Sequence, residues 1–519
     1  MKKYVLIVLF AALFLSACQN KAVKSDIDQK IDQSIDKIVK ALPKLKFPDR
    51  TINLIEYAGF EADSKGTKNF QPKLNEAIQK LSRQGGGTIY FPNKGGNKWV
   101  KGTDVYRMDG PINLASNICL MLSHGTKIQF TYNPENYLNN GKGVITRWEG
   151  VSIKSFSPLI RAFNVENVAI VGEGNGAMPI IDGDGEKWQH WSTTHDPKLK
   201  HKEFLHRLSD EDVKLADREF IDINKDFYRP FLLEFYLCKN ILINDVQLHN
   251  GPFWTIHPVF SENVTVSNVI FNVQVENSDG VDPESTHNVL IENCVFNDHD
   301  DNIAIKSGRN KEGRQGVDIS GTPIEGIKSK FIRGNKIYGS TENVVVRNCV
   351  FKGHHAICIG SEVAGSVRNV YVVDNVSVQD VDFGFYIKSS PKRGGIVENI
   401  YVRNMKLNKA RKAVVLNSNY ARNDTLSKNY PLFRNIYVKD MHIKETIKGG
   451  IEVAGWSALP MVNIYLENIS IDKINSSKSI DPVNVKNSKN VQLKNVQIEG
   501  KTYEGDYSDD SGKNPSAHS

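Results

Sequence analysis

A short hydrophobic phrase, in which an Asn precedes three mostly β-branched or aliphatic residues, recurs along the second half of the chain. The phrase begins at Asn240, Asn263, Asn288, Asn343, Asn369, Asn399, Asn435, Asn463 and Asn490. Successive copies lie roughly 23 to 36 residues apart, with one longer interval after Asn288. Each copy indicates a short β-strand, and a period of this size is typical of a solenoid. No helical pattern separates the copies, so we predict an all-β fold, a right-handed single-stranded parallel β-helix.

The repeated Asn residues fit the turns of such a coil. Asn tolerates left-handed backbone geometry and hydrogen-bonds its own backbone, and stacked amides can bond along the axis. Most copies carry a second Asn or Asp five residues later, as at Asn268, Asn293 and Asp374. These residues are therefore interpreted as turn structure, without a chemical role.

Two helical patterns precede the repeats. Pro72 to Arg83 places apolar residues on one face and ends at a Gly run, which predicts a helix that caps the open N-terminal end of the stack. Ser25 to Leu42 also has helical spacing, and Pro43 ends the pattern. We assign residues 18–50 to a partly helical tether and residues 51–502 to the β-helix domain.

The N-terminus has the pattern of a targeting signal. Lys2 and Lys3 precede an apolar run from Tyr4 to Leu15, and small residues lead to Cys18. This pattern resembles a bacterial lipobox, with residues 1–17 removed and lipid attached to Cys18; the alternative is an ordinary signal peptide. The apolar run is too short to span a bilayer. We expect a membrane-anchored lipoprotein of the outer membrane, facing the periplasm or the cell surface.

Two long segments interrupt the period. Gly183 to Tyr228 is charged and partly helical in pattern, and Arg309 to Thr341 follows an acidic cluster. Long ordered loops are usually functional, so we expect both to project beside a groove. Residues 503–519 are predicted to be a disordered tail.

Composition and charge restrict the function classes. The formal net charge is +7 with no basic block, which argues against a nucleic-acid partner and is compatible with an anionic substrate. No Cys pair has a CxxC spacing, and Cys294 and Cys349 occupy the same place in two repeats. We interpret them as buried stacked thiols, and not as a disulfide or a metal site.

The candidate chemistry lies in four successive coils. Asp279 belongs to the first, Asp300 and Asp301 to the second, His354 to the third and Lys388 to the fourth. Adjacent parallel strands lie about 4.8 Å apart, so these side chains would line one groove. Closely spaced carboxylates are what acid/base cleavage of a glycosidic bond requires.

These motifs resemble those of the polygalacturonases and their relatives in glycoside hydrolase family 28. That family marks its site with Asn-Thr-Asp, Asp-Asp, Gly-His-Gly and Arg-Ile-Lys, in this order along a parallel β-helix. The stretches that resemble them are Asn277-Ser278-Asp279, Asp300-Asp301, Gly353-His354-His355 and Tyr386-Ile387-Lys388. Further similarity covers Arg229-Pro230-Phe231, the stretch from Pro252 to Pro258, Ile359-Gly360-Ser361-Glu362 and Arg393-Gly394-Gly395.

The resemblance implies hydrolysis of pectic polysaccharide with inversion and without a cofactor or metal. It implies that Asp300 protonates the leaving oxygen, while Asp279 and Asp301 activate the water. His354 would tune the acid, and Lys388 would bind a substrate carboxylate or a sugar oxygen. The partner would be a pectic polymer or oligosaccharide, and we expect a monomer.

The departures from the family motifs concern substrate binding. Tyr386 stands where the family has the Arg that binds a galacturonate carboxylate, and His355 replaces a Gly. Both are candidate substrate-binding residues. The change leaves open a hydrolase of galacturonan, acting at a chain end or in mid-chain, or of rhamnogalacturonan or substituted pectin. A pectate lyase and a non-catalytic glycan-binding β-helix are further alternatives. Tyr386 and the two long insertions favour exo action.

Overall fold

The computed structural model describes residues 25–94, 104–420, 427–476 and 480–507. Its α-helices are α1 (Asp26–Ala41), α2 (Leu54–Ala58), α3 (Gln71–Arg83), α4 (His201–Leu208) and α5 (Asn310–Gln315), and 3₁₀ turns cover Pro134–Tyr137, Gly185–Trp191 and Leu215–Asp217. The strands in the first part of the chain are β1 (Thr51–Asn53), β2 (Gly87–Phe91), β3 (Val105–Met108), β4 (Ile112–Leu114), β5 (Ile118–Leu122), β6 (Lys127–Phe130), β7 (Val144–Trp148), β8 (Val151–Ser155), β9 (Ile160–Phe163), β10 (Glu166–Gly172), β11 (Ile180–Asp182), β12 (Leu233–Tyr236), β13 (Lys239–Asn244), β14 (Gln247–His249), β15 (Ile256–Val259), β16 (Glu262–Ser267) and β17 (Ile270–Asn272). The remaining strands are β18 (His287–Glu292), β19 (Val295–Asn297), β20 (Ala304–Ile305), β21 (Val317–Asp318), β22 (Ile332–Arg333), β23 (Lys336–Ile337), β24 (Thr341–Arg347), β25 (Val350–Lys352), β26 (His355–Gly360), β27 (Val367–Ser377), β28 (Asp380–Lys388), β29 (Ile396–Asn417), β30 (Leu432–Thr446), β31 (Ile451–Ala454), β32 (Met461–Ile474), β33 (Val483–Lys486), β34 (Ser488–Ile498) and β35 (Lys501–Tyr507).

Successive coils pair as parallel strands, and the predicted right-handed parallel β-helix is confirmed. One row of strands runs through β10, β13, β16, β18, β24, β27, β29, β30, β32 and β34. This row carries the recurrent Asn phrase, and we call it the asparagine row. Parallel connections of this kind are right-handed in almost all proteins because of strand twist.

A second row positions the functional side chains. It begins with β4, β9, β12 and β15, continues through single bridges of Val281 and Ile303, and then runs through β20, β26, β28, β29, β31 and β33. We call it the site row. In the coils that carry the acidic clusters, single bridges take the place of full strands. The site row therefore has its fewest backbone pairings beside the candidate catalytic residues.

Aliphatic stacking forms the core. In the asparagine row, Val264 pairs with Val289, Val289 with Val344, and Val344 with Val370, and all four side chains are buried. Burial of one such side chain contributes about 1.5–3 kcal/mol before entropy is considered. Cys294 and Cys349 are buried free thiols in the same core, as the sequence predicts.

The Asn at the start of each phrase adopts the left-handed conformation, with φ of 59° at Asn288 and 61° at Asn343. Its side-chain amide donates to the Asn of the preceding coil, at 3.0 Å from Asn343 to Asn288 and 3.1 Å from Asn369 to Asn343. The predicted turn role and the axial bonding of amides are therefore both confirmed.

The ends of the stack are covered. Helix α3 buries Leu74, Ala77, Ile78 and Leu81 against the first coils, which confirms the capping helix. At the other end, β35 pairs antiparallel with β34 up to Tyr507. The predicted domain end at residue 502 is therefore too early, because residues 503–507 still belong to the sheet; the rest of the predicted tail lies outside the described residues.

The helical part of the predicted tether is docked on the domain. Helix α1 buries Ile31, Ile35 and Ile38 against the outer face of the asparagine row. Arg403 and Lys439 also form ion pairs with its acidic side chains, including a 2.7 Å contact from Lys439 to Asp28. The signal and Cys18 lie outside the described residues. Among the helices of the described ranges, none is long and apolar enough to cross a membrane.

Candidate active site

The register of the site row brings the predicted chemistry together. The Gly280 amide donates to the Asp301 carbonyl at 3.0 Å, and the Asp382 amide donates to the His354 carbonyl at 2.6 Å. Lys388 pairs with Gly360 in the ladder between β26 and β28. Asp279, the Asp300–Asp301 pair, His354 and Lys388 therefore occupy successive coils, as the sequence predicts.

Asp279, Asp300, Asp301 and Lys388 line an open cleft of about 260 Å³, and His354 lies outside its lining. Its acidic lining residues are Glu149, Asp279, Asp300, Asp301 and Glu362, and its basic ones are Lys202, His206, Lys306, Arg309, Lys388 and Arg393. Phe253, Trp254 and Tyr420 add aromatic surface. A cleft with charges of both signs and aromatic faces suits a charged sugar better than an apolar ligand.

Asp301 is held in its ionised form. Its carboxylate accepts hydrogen bonds from the Lys388 ammonium, at 3.0 Å, and from Nδ1 of His355. Burial alone would raise the pKa of this carboxyl, but Lys388 and His355 outweigh burial and hold the pKa well below its usual range. Asp301 can therefore act as a fixed anion or a base, and not as a proton donor.

Asp279 lies in a different electrostatic environment. Its Oδ2 is 3.2 Å from the Lys306 ammonium, which also contacts Asp282 at 3.3 Å. Burial, followed by repulsion from Asp282, raises the pKa of Asp279 well above its usual range, and burial raises the pKa of Asp282 to about 7. Two buried carboxyls share one ammonium, so this group binds a proton far more readily than Asp301 does.

Asp300 is the accessible carboxyl, with 29% of its side chain exposed. The Asn277 amide donates to its Oδ2 at 3.3 Å, and the buried Arg229 fixes Asn277 with a 2.7 Å hydrogen bond. Nδ1 of His354 lies 3.7 Å from Asp300 Oδ1, which is longer than a hydrogen bond. Arg229 and Asn277 thus hold one oxygen of Asp300 in place, and the exposed part of this carboxyl can contact a substrate in the cleft.

The two residues that depart from the family motifs have positions that differ from the prediction. Tyr386 is only 6% exposed and packs with Ala304, Cys358 and Val415. It supports Lys388, whose ammonium lies 5.3 Å from its ring centroid, and it offers the cleft little surface for stacking. His355 is 8% exposed and bonds to Asp301, so its geometry positions Asp301 and leaves little of it for a sugar.

Sequence reasoning gave no role to two buried acidic residues that organise the cations of the cleft. Glu362 contacts Arg309 at 2.7 Å and Arg393 at 3.0 Å. Glu149 contacts Lys202 at 3.0 Å, His206 at 2.7 Å and Arg309 at 3.1 Å.

The sequence carried a signal for only one of these two residues. Glu362 lies in one of the similar stretches, so its position could have been found. Glu149 lies in a two-residue hairpin loop with φ of 43°, followed by Gly150 with φ of 83°, and no repeat marks it.

Four side chains could also approach a cation. Oxygen and nitrogen atoms of Asp300, Asp301, His354 and His355 lie within 4.8 Å of one another. However, the Lys388 ammonium already occupies one carboxylate oxygen of Asp301 at 3.0 Å, and its charge would repel a metal ion. The arrangement therefore favours direct acid/base chemistry.

Comparison with known proteins identifies the family of this chain. The profile described as "Glycosyl hydrolases family 28" matches residues 145–488. The chain therefore belongs to glycosyl hydrolase family 28, and it is a glycoside hydrolase.

Individual relatives resemble most of the chain. A probable polygalacturonase of Vitis vinifera is 26% identical over 82% of this chain and 75% of its own length. An endo-polygalacturonase of Pectobacterium carotovorum subsp. carotovorum is 25% identical over 84% of this chain and 96% of its own. The crystal structure of a hyperthermoactive exopolygalacturonase from Thermotoga maritima superposes with a TM-score of 0.74 and 28% identity, and covers 92% of this chain and 99% of that one.

Proposed function

We propose that this enzyme hydrolyses the α-linked galacturonan backbone of pectic polysaccharide with inversion, from a chain end. The observation that carries the proposal is the stack of Asp279, Asp300 and Asp301 in one cleft of a family 28 fold. The relatives named as polygalacturonases, among them the exopolygalacturonase from Thermotoga maritima, support the substrate class.

The three carboxyls divide the work by environment. Asp300 is open to the cleft and is the general acid that protonates the leaving oxygen. Asp301 is held ionised by Lys388 and His355, and it orients the attacking water by accepting a hydrogen bond from it. Asp279 lies in the same cleft, and in its ionised form it receives the proton that the water loses.

Recognition of a uronate carboxylate is assigned to the wall of the cleft. Lys202, Arg309 and Arg393 carry three positive charges, and Glu149 and Glu362 neutralise two of them. These five residues therefore carry one more positive than negative charge beside the catalytic carboxyls. A charged hydrogen bond to a substrate carboxylate would supply the missing anion, which is the role that Arg plays in the family motif and that the buried Tyr386 does not fill.

The wall also supports attack at a chain end. It consists of the β7–β8 hairpin, helix α4 and helix α5. The Arg309 amide donates to the Gly150 carbonyl at 3.1 Å, and the Glu312 amide donates to the Ser209 carbonyl at 2.9 Å. The buried Glu312 ties Arg147 of the hairpin to Arg218 of the first insertion. A wall fixed by buried ion pairs does not open easily, and a polymer would meet it with its terminus.

Product analysis tests the substrate and the mode of attack together. On polygalacturonate we expect the monosaccharide as the first product and a slow fall in viscosity, because each cut shortens the chain by one end unit. Rhamnogalacturonan and substituted fragments serve as comparison substrates. A steep early fall in viscosity would refute end attack, and cleavage of rhamnogalacturonan alone would refute the galacturonan assignment.

We further propose that the protein is a monomeric lipoprotein anchored to a bacterial membrane through Cys18. The lipobox-like pattern supports this, and α1 begins at Asp26, so the chain between Cys18 and the docked helix spans at most about 29 Å. The domain would therefore stay close to the lipid surface. Replacement of Cys18 by Ser should move the protein to the soluble fraction, and membrane retention of this variant would contradict the anchor.

A further inference from the structure

A second groove lies beside the catalytic cleft and takes no part in the proposed chemistry, although one of its residues, Arg314, belongs to α5 of the wall. It has a volume of about 510 Å³, and its charged lining residues are Arg314, Arg333 and Arg368. Tyr338 and Tyr430 add aromatic surface, and Asp and Glu do not occur among the described residues that line it. We call it the arginine groove.

Two of its three guanidinium groups have no acidic partner among the described ion pairs. Arg314 of α5 donates to the backbone carbonyls of Lys392, at 2.8 Å, and of Arg393. These bonds fix the orientation of its guanidinium without neutralising it. Arg333 is exposed and lies 4.7 Å from the ring centroid of Tyr338.

The third guanidinium group, that of Arg368, is compensated. It contacts Glu342 at 3.2 Å and Glu398 at 3.3 Å. The groove therefore presents the guanidinium groups of Arg314 and Arg333, which lack an acidic partner among the described ion pairs, beside the rings of Tyr338 and Tyr430.

The groove is a neighbour of the cleft and is separated from it by three short segments. The first contributes Arg309 to the cleft and Arg314 to the groove, the second Glu362 and Ser366, and the third Arg393 and Gly395. Each segment thus has one end in the catalytic cleft and the other end in the arginine groove. A ligand long enough to reach across these segments would occupy both.

We propose that the arginine groove is a second binding site for a polyuronate chain, distinct from the site of cleavage. Guanidinium groups bind carboxylates in a bidentate geometry, and Tyr rings offer apolar faces against which a sugar ring can pack. A polymer repeats one carboxylate in each uronate unit, which matches a groove with several separated cations. The identity of the polymer, though not the anionic character of the ligand, rests on the proposed function.

A second site changes the kinetics of long substrates only. A polymer held in the groove raises the effective concentration of its own chain at the cleft, whereas a short oligomer cannot reach both sites. Loss of the groove should therefore raise KM for polygalacturonate and leave KM and kcat for a di- or trigalacturonate unchanged.

The test compares three variants of the full-length protein, each in an Asp300→Asn background so that the polymer persists. Arg333→Gln removes an exposed charge of the groove. Arg314→Gln removes the guanidinium group that the backbone carbonyls of Lys392 and Arg393 hold in place. Arg83→Gln, on the capping helix α3 at the far N-terminal end, is the matched control because it is also exposed and removes the same charge. Retardation of each protein in gels that contain polygalacturonate, or that contain a neutral galactan, measures binding.

We expect each groove variant to bind polygalacturonate about three- to tenfold more weakly, the scale of one charged hydrogen bond. Arg83→Gln should bind like the parent protein, and the neutral polymer should retard none of them. Unchanged polygalacturonate binding by both groove variants would overturn the proposal.

The hydrolysis of short substrates separates this site from the cleft. With Asp300 restored, Arg333→Gln should cleave trigalacturonate at the parent rate, and an equal loss on trigalacturonate and polymer would show that the variant acts on the cleft and would also overturn the proposal. If no galacturonan is cleaved by the parent while charge-dependent binding is lost in the groove variants, the proposed function fails and the groove stands.

Discussion

The asparagine row and the site row follow the same coil but use their positions differently. The asparagine row repeats one residue, and each amide bonds to the next at 2.7–3.2 Å from Asn117 to Asn490. The site row carries a different charged residue in each coil, and several of them are buried, among them Asp279, Asp301 and Lys388. The ladder of Asn side chains is neutral, regular and hydrogen-bonded to itself, whereas the site row concentrates buried charges.

This difference indicates that the asparagine row mainly stabilises the solenoid, whereas the site row mainly serves its chemistry. Burial of charges is unfavourable unless each has a partner, and replacement of a buried ion pair by apolar residues is often neutral or stabilising. The fold does not need Asp301, His355 and Lys388 at adjacent positions. Chemistry does, because Lys388 and the hydrogen bond from His355 keep Asp301 ionised beside the accessible Asp300. The two rows should therefore respond to mutation in opposite ways.

The largest effect is expected in the site row, from Asp300→Asn. The variant keeps the size of the side chain and one acceptor oxygen but cannot donate the proton, and general acid catalysis contributes roughly 10²–10⁴-fold. We expect kcat on polygalacturonate to fall by that factor while the melting temperature stays within a few degrees, since Asp300 is partly exposed. Circular dichroism melts control for the fold. Turnover within a factor of three of the parent would remove Asp300 from the role of acid.

The regular part of the molecule was readily predictable from sequence and the irregular part was not. The Asn period identified the β-helix, and adjacent coils placed Asp279 next to Asp301 because strand spacing is fixed. Helix α3 followed from its apolar face and its Gly run. These features depend on local patterns that recur or that obey one spacing rule.

The failures concern contacts that no local pattern encodes. Docking of α1 depends on residues such as Tyr371 on the outer face of a distant strand, which cluster with the helix and are buried there, and sequence spacing does not reveal that face. Glu149 reaches Lys202 and Arg309 only because two insertions fold back onto the β7–β8 hairpin. Tyr386 was interpreted as a substrate surface, but Cys358 and Val415 of the adjacent coils bury it on the face opposite the main core.

An effect of intermediate size is expected from Lys388→Met, which tests the electrostatic role of Lys388 in the site row. Lys388 holds the pKa of Asp301 below its usual range, so its loss raises that pKa. A carboxyl with a lowered folded-state pKa contributes stability above its unfolded pKa of about 3.9, and this contribution is lost as pH falls through the folded pKa. The stability deficit of the variant should therefore be largest at neutral pH and shrink below about pH 4.

The same substitution should change the activity profile. Hydrolysis requires ionised Asp301, so the acid limb of the kcat profile should move to higher pH in Lys388→Met, in addition to a loss of rate. Lys412→Met, which removes a partly exposed cation paired with Glu452 in the same row, is the matched control and should leave the acid limb in place. An acid limb that is identical in the parent and in Lys388→Met would show that Lys388 does not set the ionisation of Asp301.

The smallest effect on activity, with a clear effect on stability, is expected in the asparagine row. Asn343→Ala removes two amide hydrogen bonds and leaves a Cβ residue at φ of 61°. Left-handed geometry costs about 1–2 kcal/mol for a residue of this kind, and each hydrogen bond contributes about 0.5–1.5 kcal/mol. Asn343→Gly loses the same hydrogen bonds but tolerates the left-handed backbone, so the free energy of unfolding should fall by about 1–2 kcal/mol less in the Gly variant than in the Ala variant.

Urea denaturation measures the free energy of unfolding of both variants, and kcat on trigalacturonate should remain that of the parent because Asn343 lies outside the site row. Equal destabilisation by Ala and Gly would mean that the Asn is retained for its amide alone, and a fall in kcat without a fall in stability would mean that the two rows are not independent.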